Sequence, residues 1–95
     1  MGICKFNDVA IKHNNMVLYK STDAIKVVKE CFRMNKSVYG IDAFILKEQY
    51  IQPFMEHSIN ADEMLNGEEQ QEIFIKHLKK YLNSEFVFEI VYEGY

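Results

Sequence analysis

Apolar and polar positions change period several times along this chain, and the clearest pattern lies near its end. Over residues 86–92, Phe86, Phe88, Ile90 and Tyr92 fall on one side and Val87, Glu89 and Val91 on the other, with Glu93 continuing the second series. Period-two alternation of this kind predicts a half-buried strand with an aromatic core face. Residues 38–46 predict another strand, with Tyr39, Ile41, Ala43 and Ile45 on one side and Val38, Gly40, Asp42, Phe44 and Leu46 on the other. Both sides are largely apolar, so this strand is expected in the middle of a sheet. Gly40 leaves a gap in it and predicts a bulge or the close approach of another element. Asp42 places a carboxylate in the apolar run, which is costly unless a partner meets it.

Two stretches have helical period instead. Ser21-Thr22-Asp23 is expected to cap a helix in which Ala24, Ile25, Val28, Cys31 and Phe32 form the apolar face, with Lys26, Lys29, Glu30 and Arg33 on the other side. Asn35-Lys36-Ser37 ends it. A second helix follows Asn66-Gly67, with acids at its start, Lys76, Lys79 and Lys80 in its later turns, and Ile73, Phe74, His77, Leu78, Tyr81 and Leu82 along one face. Lys47-Glu48-Gln49 reads as a turn, and Tyr50-Ile51-Gln52 as a short strand that Pro53 ends or pushes to a sheet edge. Residues 54–60 have no clean period. Residues 1–20 contain only short apolar pieces (3–6, 9–11 and 16–19), which fit a strand or a short helix equally. The order of elements predicts an α+β fold, a small, mainly antiparallel sheet with two amphipathic helices packed on one face.

Ninety-five residues make a single domain, 1–95, and a hydrophobic share of 48% supplies a core without metal or disulfide. The net charge of −3 argues against nonspecific binding to nucleic acid or to an anionic membrane. Cys4 and Cys31 lack CxxC spacing and are expected to be reduced, buried thiols of a cytoplasmic protein. No run is long enough to span a membrane, the N-terminus has no signal-peptide pattern, and Phe6 stands where a myristoylation motif needs Ser or Thr.

Candidate chemistry is sparse. His13, His57 and His77 lie far apart, without metal-ligand spacing, so no metal or cofactor is expected. His77, on an apolar helix face, is expected to be a packed, hydrogen-bonded imidazole. His57-Ser58 lacks the Gly-x-Ser-x-Gly elbow of a nucleophile, and no Gly-rich phosphate loop is present. Glu89 and Glu93 are about 13 Å apart at strand rise, too far for a close carboxylate pair. Tyrosines and acids remain (Tyr39, Tyr50, Tyr92 and Tyr95 with Glu56, Asp62, Glu63, Glu89 and Glu93), a set that suits protein recognition.

Gly40-Ile41-Asp42-Ala43-Phe44, Ile51-Gln52-Pro53, Glu56-His57-Ser58-Ile59 and residues 86–93 together resemble small bacterial immunity proteins of polymorphic toxin and contact-dependent growth inhibition systems. The likeness covers residues 22–93, and Asn60 stands where such proteins typically carry an acid. The resemblance implies a cytoplasmic, non-catalytic antitoxin that binds a cognate toxin domain, often a basic nuclease, and blocks its active site or substrate entry. Asp42, Glu56, His57, Glu89, Tyr92 and Glu93 are then the toxin-binding candidates. Two other readings stay open: a small enzyme or ligand-binding domain with a site around Asp42, His57 and Glu89, and an adaptor that dimerises through a strand edge. For Asp42 the choice narrows to an internal hydrogen-bonded anchor, the first expectation, or the acidic part of a binding surface.

Overall fold

The computed structural model describes residues 8–13, 15–48 and 50–94. Cys4, the apolar piece 3–6, Asn14, Gln49 and Tyr95 lie outside them. The chain is α+β, and two helices pack on an antiparallel sheet. Strand β1 (Ile11–His13) turns back into β2 (Met16–Lys20), which runs without a loop into α1 (Ser21–Arg33). Then come β3 (Val38–Leu46), β4 (Ile51–Pro53), a 3-10 turn (Met55–His57), β5 (Ile59–Asn60), α2 (Gly67–Lys79) and β6 (Phe86–Tyr92). The strand order is β1-β2-β6-β3-β4, with β5 also paired to β3. The ambiguous N-terminal stretch therefore holds a hairpin. β3 is central, as its two apolar sides predict, and the strand carrying Pro53 lies at the edge.

β4 and β5 share one edge of β3, since β6 occupies the other. Between them the chain leaves the sheet and is tied back at Ala43. The Phe54 amide donates to the Ala43 carbonyl at 2.9 Å, and the Ala43 amide donates to Ser58 Oγ, also at 2.9 Å. This excursion explains why residues 54–60 show neither strand nor helix period.

The β3 pairing shifts register between Val38 and Gly40, which forms the expected bulge. The bulge corrects the face assignment at the start of the strand. Val38 is buried with Ile41 and Ala43 in the core, whereas Tyr39 is 53% exposed. Close approach operates at Gly40 as well, because a Cβ there would sit 3.0 Å from Asn60 Oδ1 and 3.3 Å from the Ile59 carbonyl oxygen.

The core lies between the helices and one sheet face: Ala24, Val27, Val28 and Cys31 of α1, Phe74 and Leu78 of α2, Ile41 and Ala43 of β3, and Phe88 and Ile90 of β6. The aromatic side of β6 is the core side, as the alternation predicts. α1 ends in a Schellman motif: Lys36 N donates to Cys31 O at 2.8 Å, Asn35 N donates to Phe32 O at 3.1 Å, and Asn35 takes the left-handed conformation, with φ 57°.

The helix details differ from the sequence pattern in three places. Lys20, not Ser21, is the N-cap residue of α1. Ser21 lies inside the helix and donates its hydroxyl to the Leu78 carbonyl of α2. Glu30, expected in solvent, is buried, because the Arg33 guanidinium grips its carboxylate through both oxygens. On α2 the buried positions are Gln70, Phe74 and Leu78, spaced by four, and Ile73 is 40% exposed. Leu82 is exposed too, since the helix ends at Lys79 and helical spacing no longer applies to it. The acid-to-base gradient along α2 stands, with Glu68 and Glu69 in the first turn and Lys76, His77 and Lys79 in the last.

Candidate functional site

The six candidate residues occupy three separate places. Asp42 of β3 lies directly opposite Glu89 of β6. Ile41, Ala43, Phe88 and Ile90 turn to the helices, so alternation turns Asp42 and Glu89 to the helix-free face. Their neighbours in register are Phe44 opposite Val87 and Gly40 opposite Val91. Both acids are half-buried. Cβ atoms of directly opposed strand residues are about 4.5–5.5 Å apart, close enough for like charges to destabilise the pairing. Among the described residues no side-chain hydrogen bond or ion pair accompanies Asp42, so the internal anchor expected for it has no partner there.

Glu56 and His57 lie on the helix side, at the 3-10 turn. The Tyr81 hydroxyl meets His57 Nδ1 at 2.8 Å, and Phe86 packs edge-on against the imidazole with centroids 4.9 Å apart. His77 donates from Nε2 to the His57 carbonyl at 2.6 Å, the packed imidazole that the apolar helix face predicts. The exposed Glu56 carboxylate is 3.9 Å from His57 Nε2. Phe86 is on the core side of β6, so His57 and the Asp42–Glu89 pair lie on opposite sides of the sheet. The constellation Asp42, His57, Glu89 does not converge. The Ser58 hydroxyl is bonded to backbone, donating to Phe54 O at 3.1 Å while accepting from the Ala43 amide.

Tyr92 and Glu93 form the third place, at the far end of β6. Tyr92 is half-buried opposite Val38. Glu93 clasps Ser37, donating its amide to Ser37 O at 2.8 Å and accepting the Ser37 amide on Oε1 at 3.3 Å. Its role is to close the end of the sheet, which weakens it as a contact residue.

Sequence reasoning missed a groove of about 480 Å³ between the start of β3, the end of α1, the loop 61–66 and the start of α2. Phe32, Tyr39, Ala61 and Leu65 give it apolar walls, and Asp62 and Glu63 add acids. The loop is fixed by Ala61 N donating to Tyr39 O at 2.9 Å and by Asp62 N donating to Gln70 Oε1 at 2.6 Å. The second bond settles which way the Gln70 amide points, because a backbone N–H needs its oxygen. Gln70 is 6% exposed, and among the described residues its Nε2 has no acceptor. A buried donor left unpaired costs about 1–3 kcal/mol. The sequence held partial signals, the bulge at Gly40 that exposes Tyr39 and the Asn66-Gly67 break, but nothing local brings residues 32, 39, 62 and 70 together.

Among the described residues, no three His, Cys, Asp or Glu side chains gather to hold a metal ion, and no helix is long and apolar enough to cross a membrane. Cys31 is a buried free thiol whose pKa burial pushes up to about 11, with Lys36 opposing and Glu30 adding to the rise. The chain matches no family model, and neither a curated protein nor a solved structure emerges as similar to it.

Proposed function

We propose that this chain is a non-catalytic, cytoplasmic inhibitor of the immunity-protein kind, which binds a basic bacterial toxin domain and covers its active site. The observation that carries this reading is the opposed pair Asp42–Glu89 on the helix-free sheet face. Two half-buried carboxylates in direct register give the centre of this face a negative charge that a Lys or Arg of a partner complements. Nuclease toxins bind the phosphate backbone with such cations, so a surface that pairs with them competes with substrate. The resemblance of residues 22–93 to immunity proteins supplies the identity of the partner, and the division of Asp42, His57 and Glu89 between two sides of the sheet leaves the enzyme alternative without an assembled site.

The test is to look for a toxin-like reading frame directly upstream of the gene and to co-express its product with this chain. The expected result is growth in place of arrest and a complex that survives gel filtration, both lost in Asp42→Lys/Glu89→Lys. Growth arrest despite abundant folded protein would reject the proposal.

A further inference from the structure

We infer that the groove beside Tyr39 is a second recognition site, which takes an extended basic segment of a partner protein with a Lys or Arg side chain between Tyr39 and the Asp62–Glu63 rim. This deepens the proposal above, since it rests on the chain being a protein-binding module, but it uses a different part of the molecule.

Charge identifies the occupant. Asp62 and Glu63 line the groove and are exposed, and Glu68 and Glu69 follow in the first turn of α2. An anion is repelled here, even though a helix N-terminus is present. That N-terminus also has its own acceptors. Asn66 Oδ1 takes the Glu69 amide at 2.8 Å, and Glu69 Oε1 takes the Asn66 amide at 3.1 Å, a complete capping box.

The unpaired donor narrows the chemistry further. Gln70 lines the groove and is more than nine-tenths buried, and its Nε2, itself shielded from solvent just behind the groove wall, finds no acceptor among the described residues. The acceptor it lacks, in an acidic groove, is a neutral oxygen, as a peptide carbonyl provides. The rim supplies the remaining contacts. Tyr39, 53% exposed, presents a ring to stack a guanidinium or ammonium. A backbone carbonyl for Gln70 and a cation for Tyr39, Asp62 and Glu63 belong together in one extended basic peptide.

The probe is an N-acetylated, C-amidated Ala-Arg-Ala-Lys-Ala-Arg peptide titrated into the isotopically labelled full chain and followed by NMR. Shifts are expected at Tyr39, Asp62, Gly67 and the Gln70 side-chain amide, and none with the corresponding Glu peptide. Reversal of the two exposed rim charges in Asp62→Lys/Glu63→Lys should weaken binding by about tenfold or more with the fold intact. Equal shifts with both peptides, shifts confined to the Asp42–Glu89 face, or no shift in the groove would overturn the inference. Groove binding in a chain that gives no protection from the toxin sinks the inhibitor reading alone; protection without groove binding sinks the groove alone.

Discussion

Asp42 and Glu89 face each other across the β3–β6 ladder, two carboxylates in direct register on the sheet face that carries no helix. Like charges directly opposed across a ladder generally weaken the pairing, and the surrounding register shows how this ladder is held. On one side Phe44 pairs with Val87, which is nearly fully buried, and on the other Gly40 pairs with Val91. Apolar flanks keep the ladder together while its centre carries like charge.

Replacing Asp42 with Asn should therefore stabilise the chain by about 0.2–1 kcal/mol, the range for cross-strand pairs. Urea unfolding of Asp42→Asn against the parent checks this. The same change should slow association with a basic partner and flatten the dependence of the rate on salt, since a steering charge is lost. A variant that is less stable and binds as before would show that Asp42 belongs to the fold rather than to recognition.

At Gly40 close approach leaves little room for a side chain. Its missing side chain faces Asn60 Oδ1 and the Ile59 carbonyl oxygen, and the latter is backbone that cannot swing away without breaking the β3–β5 pairing. Gly40→Val should destabilise by about 1–3 kcal/mol, as overpacking does. Removing the movable obstacle with Asn60→Gly should recover only part of the loss. Thermal unfolding of the two single variants and the double variant measures that part.

How much was legible in the sequence follows from how local each cause is. The core face of β6, the Asn35 stop of α1 and the edge position of Pro53 each depend on a few neighbouring residues, and pattern alone predicts them. Tyr39 and Val38 exchanged faces because one bulge resets the period, and although Gly40 marked the bulge, its register against β6 is a long-range property. The opposition of Asp42 to Glu89 was hidden for a similar reason: a strand sequence tells which residues share a face but not which strand lies beside them. The groove was hidden most completely, since its walls come from α1, β3, a loop and α2.

Ser21 and Asn66 separate a cap read from sequence from a cap that exists. Asn66 accepts the Glu69 amide, so Asn66→Ala should cost about 0.5–2 kcal/mol, chiefly by fraying the first turn of α2. Ser21 caps nothing in α1 and instead joins it to the carbonyl of Leu78 near the end of α2. Ser21→Ala removes that tie between the helices, but the Leu78 carbonyl keeps the Tyr81 amide at 3.0 Å, so the cost should be that of one ordinary hydrogen bond, about 0.5–1.5 kcal/mol. Hydrogen exchange distinguishes them: Asn66→Ala should speed exchange at the α2 start, and Ser21→Ala should speed it where the two helices meet.

Cys31 makes stability fall at alkaline pH. Its thiol is fully buried in α1, and burial pushes its pKa from an ordinary 9.0 to about 11, against the lowering effect of Lys36 and with some help from Glu30. Below the unfolded-chain value both states keep the proton, so the thiol contributes no pH dependence there. Between about 9 and about 11 the unfolded chain releases the proton while the folded chain retains it, which favours unfolding. Stability should therefore drop across that window more steeply in the parent than in Cys31→Ala, where this titration is absent and the other alkaline groups are unchanged. Urea midpoints at a series of pH values give both slopes. Alkylation supplies an independent check, because a buried neutral thiol should react with iodoacetamide only as fast as the chain opens, and Cys31 should become reactive in step with unfolding. Parallel slopes in the two proteins, or rapid labelling of Cys31 in the folded chain, would mean that the thiol ionises in place.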